Sequence, residues 1–186
     1  MLRRCLFLDR DGVVNVDHGY VHRKENFEFI DGIFALCRAV VEEDMLLVIV
    51  TNQSGIGRGY FSEEQFRILN SWMLSRFRDE KISITAVYHC PFHPQYGIGG
   101  YKRESFNSKP NTGMLLLARD DFDIDLSRSI LLGDRHSDVE AGRSAGIGLN
   151  ILLDSKVEKK DADVVVSDLK DALSIIRGYN RLLYSV

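Results

Sequence analysis

Two aspartates one residue apart, Asp9 and Asp11, stand directly after the apolar run Cys5 to Leu8 and just before Gly12. If that run is a strand, side chains two apart point the same way, so both carboxylates face one substrate. A carboxylate can displace an alkoxide from phosphorus and form an acyl phosphate, which water then hydrolyses. A second carboxylate can give a proton to the leaving oxygen and later take one from water. Asp9 is therefore the expected nucleophile and Asp11 the expected general acid and base of a phosphate ester hydrolysis.

The same logic applied to the other apolar runs finds their partners. Thr51, Asn52 and Gln53 follow the run Met45 to Val50, and Asp134 follows Ser129 to Leu132 with Asp138 four residues later. Lys109 stands in the loop before a predicted helix. Four carboxylates beside a phosphate dianion require compensation, which Lys109 and a divalent cation can supply. Carboxylate crowding raises the pKa of one member, which helps keep Asp11 protonated. All-oxygen ligands suit Mg²⁺, which binds through one or two carboxylates plus substrate phosphate and keeps waters. Asp9 and Asp134 are the expected side-chain ligands, with Asp11 beside them in the metal site. Thr51 and Lys109 are placed to stabilise the phosphoryl group.

Other readings of the same residues are weaker. A calcium loop needs glycine at its sixth position, where Val14 stands. Gly55-Ile56-Gly57-Arg58-Gly59 lacks the spacing of a nucleotide-binding loop and reads as a flexible turn, with Arg58 a possible substrate contact. Trp72, Met73, Phe77, Cys5 and Cys37 fall at core spacing and read as packing. A phospho-receiver domain also gathers an aspartate, a hydroxyl and a lysine around magnesium, but has no acid two residues after its aspartate, where this chain has Asp11.

The elements that must position these residues alternate. Cys5 to Leu8, Met45 to Val50, Ile84 to His89, Ser129 to Leu132, Leu149 to Leu153 and Val164 to Val166 read as strands, most without polar alternation, as in a buried parallel sheet. Between them, helices are predicted over Gly32 to Asp44, Ser62 to Asp79, Asn111 to Phe122, Val139 to Ala145 and Leu169 to Arg177. Ser62 and Gln65 have the spacing of a capping box, and Gly146 suits a left-handed helix end. The expected fold is α/β, a doubly wound parallel sheet in a single domain over residues 1 to 186, with no large cap domain. Its ligands should bind at the carboxyl ends of the strands. The segments Asp11 to Phe29, Ser54 to Phe61 and Pro91 to Pro110 should form the rim.

Bulk properties narrow the partners. With 24 basic and 27 acidic residues and a formal net charge of -3, no broad basic face favours nucleic acid or an anionic membrane. The run before Asp9 is too short for a secretory leader, and no stretch is long enough to span a bilayer. The 3 cysteines, Cys5, Cys37 and Cys90, do not make a disulfide framework, and a reducing cytoplasm is expected.

Asp9-x-Asp11-Gly12, Thr51, Lys109 and Gly133-Asp134-x-x-x-Asp138 resemble the four signature pieces of the haloacid-dehalogenase phosphatases. Within that superfamily, Asn15 to His22, Asn26 to Gly32 and Thr51 to Ile56 resemble the heptose 1,7-bisphosphate 7-phosphatases. The resemblance implies removal of the C7 phosphate of a heptose bisphosphate, on the way to nucleotide-activated heptose for surface polysaccharide. It implies sugar contacts from Asp17, His18, Gly19, Tyr20, Asn52, Gln53, Ser54 and Arg135. The family's zinc ligands are replaced here by Phe92 in Cys90-Pro91-Phe92 and by Ser105-Phe106-Asn107, so zinc is expected to be absent, although His89 and His93 lie nearby. Ser108 stands where the family often has a substrate-recognising arginine, which Lys102, Arg103 or Arg58 could replace. Histidinol-phosphate phosphatase is the nearest alternative.

Overall fold

Residues 2–153 and 162–184 are described by the computed structural model. Six parallel strands form one sheet: β1 (Cys5–Leu8), β2 (Leu46–Asn52), β3 (Ala86–Cys90), β4 (Ile130–Gly133), β5 (Leu149–Leu153) and β6 (Val164–Val166). Their order is β3-β2-β1-β4-β5-β6. The chain steps outward from β1 to β2 and β3, then returns to build the other half from β4. That reversal places the topological switch beside β1, where open α/β sheets bind ligands.

Strand periodicity divides the core into two faces. Leu6 and Leu8 of β1 pack with Leu47 and Ile49 of β2 on one side, and Cys5 and Phe7 pack with Leu46, Val48 and Val50 on the other. The first face is covered by α1 (Ile33–Glu42), α3 (Glu63–Asp79) and α6 (Leu169–Tyr184). The second is covered by α4 (Gly113–Phe122) and α5 (His136–Ala145). The sheet is doubly wound, as its apolar runs predict. Met73, Phe77, Cys5 and Cys37 are fully enclosed, and Trp72 packs on Phe27 and Phe29. Ser62 and Gln65 close both bonds of the capping box that opens α3.

Where boundaries differ from the sequence-based expectation, polar residues are responsible. Helix α6 runs past Arg177 to Tyr184. Its continuation lacks apolar period because the buried residue there is Asn180, which accepts from the Arg4 guanidinium at 3.0 Å. Helix α5 begins at His136 rather than Val139, because the Asp138 carboxylate accepts the Arg135 N–H at 3.0 Å and satisfies an end amide. The glycine-rich stretch after β2 is no flexible turn: Ser54–Gly57 forms a short helix, α2. Gly57 is required there, since a Cβ would lie 2.3 Å from the Pro91 carbonyl oxygen.

Candidate active site

The carboxyl ends of β1, β2 and β4 converge on a cleft of about 460 Å³. Asp9 begins where β1 ends, its N–H held by the Leu132 carbonyl of β4 at 3.0 Å. Its Oδ1 accepts from the Lys109 ammonium at 2.8 Å. Lys109 also donates to the Val50 carbonyl at 2.8 Å and lies 2.5 Å from Asp138 Oδ1. An ammonium has three protons, so all are committed. Within the described residues, Oδ2 of Asp9 is the oxygen left to act.

Lys109 lies 100 residues from Asp9, and Asn52 brings it there. The Asn52 amide donates to the Lys109 carbonyl and accepts the Lys109 N–H, each at 3.0 Å. Asn52, an expected sugar contact, lines the cleft and also uses its amide to hold the lysine's backbone at the end of β2.

Asp134 and Asp138 bring their carboxylates toward Asp9. One oxygen from each of the three lies within 4.8 Å of the others, the one such metal-capable cluster among the described residues. Oδ1 of Asp134 is buried with no hydrogen-bond partner. Three hard oxygen donors with an unpaired carboxylate oxygen fit a magnesium ion. Gly12 makes room for this arrangement: its φ of +92° is left-handed, and a Cβ would stand 2.1 Å from Asp134 Oδ2.

The cluster contains both expected side-chain ligands, Asp9 and Asp134, and adds Asp138 as a third carboxylate. The Asp11 carboxylate is turned to other partners. It accepts from Arg10 at 2.8 and 2.9 Å, from Asn15 at 3.0 Å and from Gln53 at 2.9 Å. The Gln53 amide also donates to Thr51 Oγ1 at 2.8 Å. Gln53 thus ties the second aspartate to the buried hydroxyl at the end of β2.

Charge crowding acts on the cluster itself. Burial, with Asp138 and Asp11 adding to it against the pull of Lys109, pushes Asp9 up to about 6. Burial and the neighbouring Asp9 and Asp138 push Asp134 up to about 8. Burial alone would lower the Lys109 ammonium, but Asp9 and Asp138 outweigh it and raise the pKa above its ordinary value.

The rest of the predicted set divides. Asp17, Gly19, Tyr20, Gln53, Ser54 and Arg135 line the cleft. Asp17 accepts the Gly19 N–H at 2.9 Å and pairs with Arg135 at 2.8 Å across the rim. Thr51 is buried behind the cleft wall. His18 does not line the cleft; it is half exposed and pairs with Glu28 at 3.2 Å. The lining also includes Asp138 and Arg58, which the sequence offers as a signature carboxylate and a possible substrate contact, and His93, to which it gives no substrate role. The spacing of Asp138 four residues after Asp134 is the signal for that carboxylate.

The Pro91 to Pro110 loop is closed by its own contacts. The Arg103 guanidinium sits 3.9 Å from the Phe92 ring centre, and the His93 N–H donates to the Tyr101 carbonyl at 3.1 Å. His89 is paired with Glu63 at 3.0 Å, and Cys90 is buried.

A HAD-hydrolase-like family model matches residues 106–172. D-glycero-alpha-D-manno-heptose-1,7-bisphosphate 7-phosphatase of Burkholderia mallei is 48% identical over 96% of this chain and 96% of its own. The beta-anomer 7-phosphatase of Vibrio cholerae is 48% identical over 82% of each chain. Among solved structures, a HAD-like phosphatase from Mesorhizobium loti superposes with a TM-score of 0.86 at 32% identity, covering 96% of this chain and 88% of that one. The D,D-heptose 1,7-bisphosphate phosphatase of B. bronchiseptica, complexed with magnesium and phosphate, shares the fold with a TM-score of 0.78 at 23% identity, covering 98% and 99%.

Proposed function

The chain belongs to the heptose-1,7-bisphosphate 7-phosphatase family of HAD-like hydrolases, and from that premise we propose that it removes the C7 phosphate of D-glycero-D-manno-heptose 1,7-bisphosphate with Mg²⁺ as cofactor. The observation that carries the chemistry is the buried Asp9, engaged by Lys109 at 2.8 Å and set in a three-carboxylate cluster. The product belongs to the route toward nucleotide-activated heptose.

Asp9 Oδ2 attacks phosphorus and forms an aspartyl phosphate, while Asp11 gives its proton to the departing sugar oxygen. Asp11 then takes a proton from the water that cleaves the aspartyl phosphate. Lys109 stabilises the developing phosphoryl charge through its ammonium beside Asp9, and the Thr51 hydroxyl, buried at the end of β2, supports the phosphate site from beneath. Gln53, bonded to both Asp11 and Thr51, keeps the acid and that hydroxyl in register. Asp9, Asp134 and Asp138 supply the donor set for magnesium, which when bound offsets the negative charge of the phosphoryl group. Asp17, Gly19, Tyr20, Ser54 and Arg135 contact the sugar.

The chain needs no structural zinc, a reading supported by Phe92 standing in a ligand position and by the loop's own packing. Cys5, Cys37 and Cys90 are free and buried, and no described helix is long and apolar enough to cross a membrane. Both support action in the cytoplasm on a small sugar bisphosphate. The six-stranded sheet with its helices supports a single catalytic domain. Phosphate release from both anomers of the heptose bisphosphate and from histidinol phosphate, with and without Mg²⁺, tests the proposal. Preference for histidinol phosphate, or turnover untouched by chelation of Mg²⁺, would overturn it; metal analysis of the pure protein should find no stoichiometric zinc.

A further inference from the structure

The cleft is lined by more cationic capacity than one phosphate uses. Lys109 is committed to Asp9, Asp138 and Val50, and Arg135 is paired with Asp17. Arg58 differs from both: among the described residues no carboxylate is within ion-pair distance of it, and its Nε is buried without a hydrogen-bond partner. Its guanidinium carbon lies 4.9 Å from the Tyr96 ring centre and 5.9 Å from that of Tyr20. Tyr20 packs edge-on against Tyr60, with ring centres 4.6 Å apart. Rings on a guanidinium's faces restrain its plane and leave the donors at its edge available to an anion.

His93 lines the same cleft. Its Nδ1 accepts the N–H groups of Gln95 and Tyr96 at 3.2 and 3.1 Å, which assigns the proton to Nε2 and makes that nitrogen a donor. Burial, together with the charge of Arg58, holds its pKa below the ordinary histidine value. Arg58 and His93 come from different segments, but these are fastened together. The Gly57 N–H donates to the Pro91 carbonyl at 3.0 Å, and the Ile98 N–H to the Gly57 carbonyl at 2.8 Å.

We propose that Arg58 and His93 form a second anion site, which holds the phosphate that the reaction leaves in place and thereby selects a sugar bisphosphate over a monophosphate. The inference rests on the function proposed above: a bisphosphate seated with one phosphate at Asp9 brings its other dianion to a cleft whose uncommitted cation is Arg58. The guanidinium gives charge and edge donors, and Nε2 of His93 gives a neutral donor beside them.

The test is the ratio of kcat/KM for heptose 1,7-bisphosphate to that for heptose 7-phosphate. Arg58→Gln should lower this ratio about 10- to 100-fold, mainly through KM, as expected for losing a hydrogen bond to a charged group. Arg58→Lys should recover part of it. His93→Ala should lower it about tenfold, and His93→Gln, which keeps an N–H near the Nε2 position, should restore it. A ratio unchanged in both Arg58 variants, with thermal melts showing folded protein, would overturn the second site. Failure of the wild type to hydrolyse the heptose substrates would instead overturn the proposed function. In that event the same ratio is taken with fructose 1,6-bisphosphate and fructose 6-phosphate, and an unchanged ratio there overturns the second site as well.

Discussion

Magnesium affinity should depend steeply on pH in a range where ordinary aspartates are fully ionised. The proposed donor set includes Asp134, pushed up to about 8, and Asp9, pushed up to about 6. Both folded pKa values lie above the unfolded aspartate value of about 3.9. In the metal-free protein their contribution to stability is therefore present at acid pH and lost as pH rises through about 6 and then about 8. Magnesium needs both carboxylates ionised, so proton release accompanies its binding over the same window. At pH 6 an acid with a pKa of about 8 is ionised in about one molecule per hundred, and one with a pKa of about 6 in about half. The apparent dissociation constant should therefore be about 150-fold weaker at pH 6 than at pH 8.5. At pH 7 the Asp134 proton dominates, and about one proton should leave per ion bound. Isothermal titration calorimetry in buffers of different ionisation enthalpy measures both quantities. Asp134→Asn should weaken binding and remove most of the pH dependence. A dissociation constant that stays flat between pH 6 and 8.5, with no proton released, would refute the assignment of Asp134 and Asp9 as a crowded ligand pair.

Replacing Asp11 by Asn should preserve Mg²⁺ binding, because the Asp11 carboxylate stands outside the Asp9, Asp134 and Asp138 cluster, yet lower kcat for ester hydrolysis about 10²- to 10⁴-fold; steady-state kinetics and calorimetry on one sample read both. Lys109→Met removes a cation buried between Asp9 and Asp138 and should destabilise the metal-free protein by about 3–5 kcal/mol. Thermal melts should show that loss shrinking at acid pH, where Asp9 is protonated, and partly reversed by Mg²⁺. Asn52→Ala should release the Lys109 backbone, costing about 1–3 kcal/mol in stability and reducing kcat, as read by denaturant titration and phosphate release.

Much of this architecture can be read from the residues alone. The strands of a parallel sheet are buried on both faces, so Cys5 to Leu8 and Ile130 to Leu132 appear as uninterrupted apolar runs, and what stands just past each run falls on one edge. Asp9, Asp11, Thr51 and Asp134 were legible for that reason. The roles of Asn52 and Asp138 were not, because they depend on contacts across long sequence separations: Asn52 reaches the backbone of Lys109, 57 residues away, and Asp138 meets that lysine's ammonium. Arg58 was legible as a candidate substrate contact, but its setting between two rings was not, since neither Tyr20 nor Tyr96 is near it in sequence. His18 sits apart from its neighbours: Asp17 and Gly19 line the cleft, whereas the His18 ring pairs with Glu28. Asn180 hid the last turns of α6, because a buried amide carries no hydrophobic signal.

Following heptose 1,7-bisphosphate by ³¹P NMR with the wild-type protein, Mg²⁺ and the Asp9→Asn variant tests the central claim most directly. The wild type should remove the C7 resonance and leave heptose 1-phosphate and inorganic phosphate, and the variant should leave both resonances unchanged. Loss of the C1 phosphate, or turnover that survives in Asp9→Asn, would contradict an attack by Asp9 on the C7 phosphate.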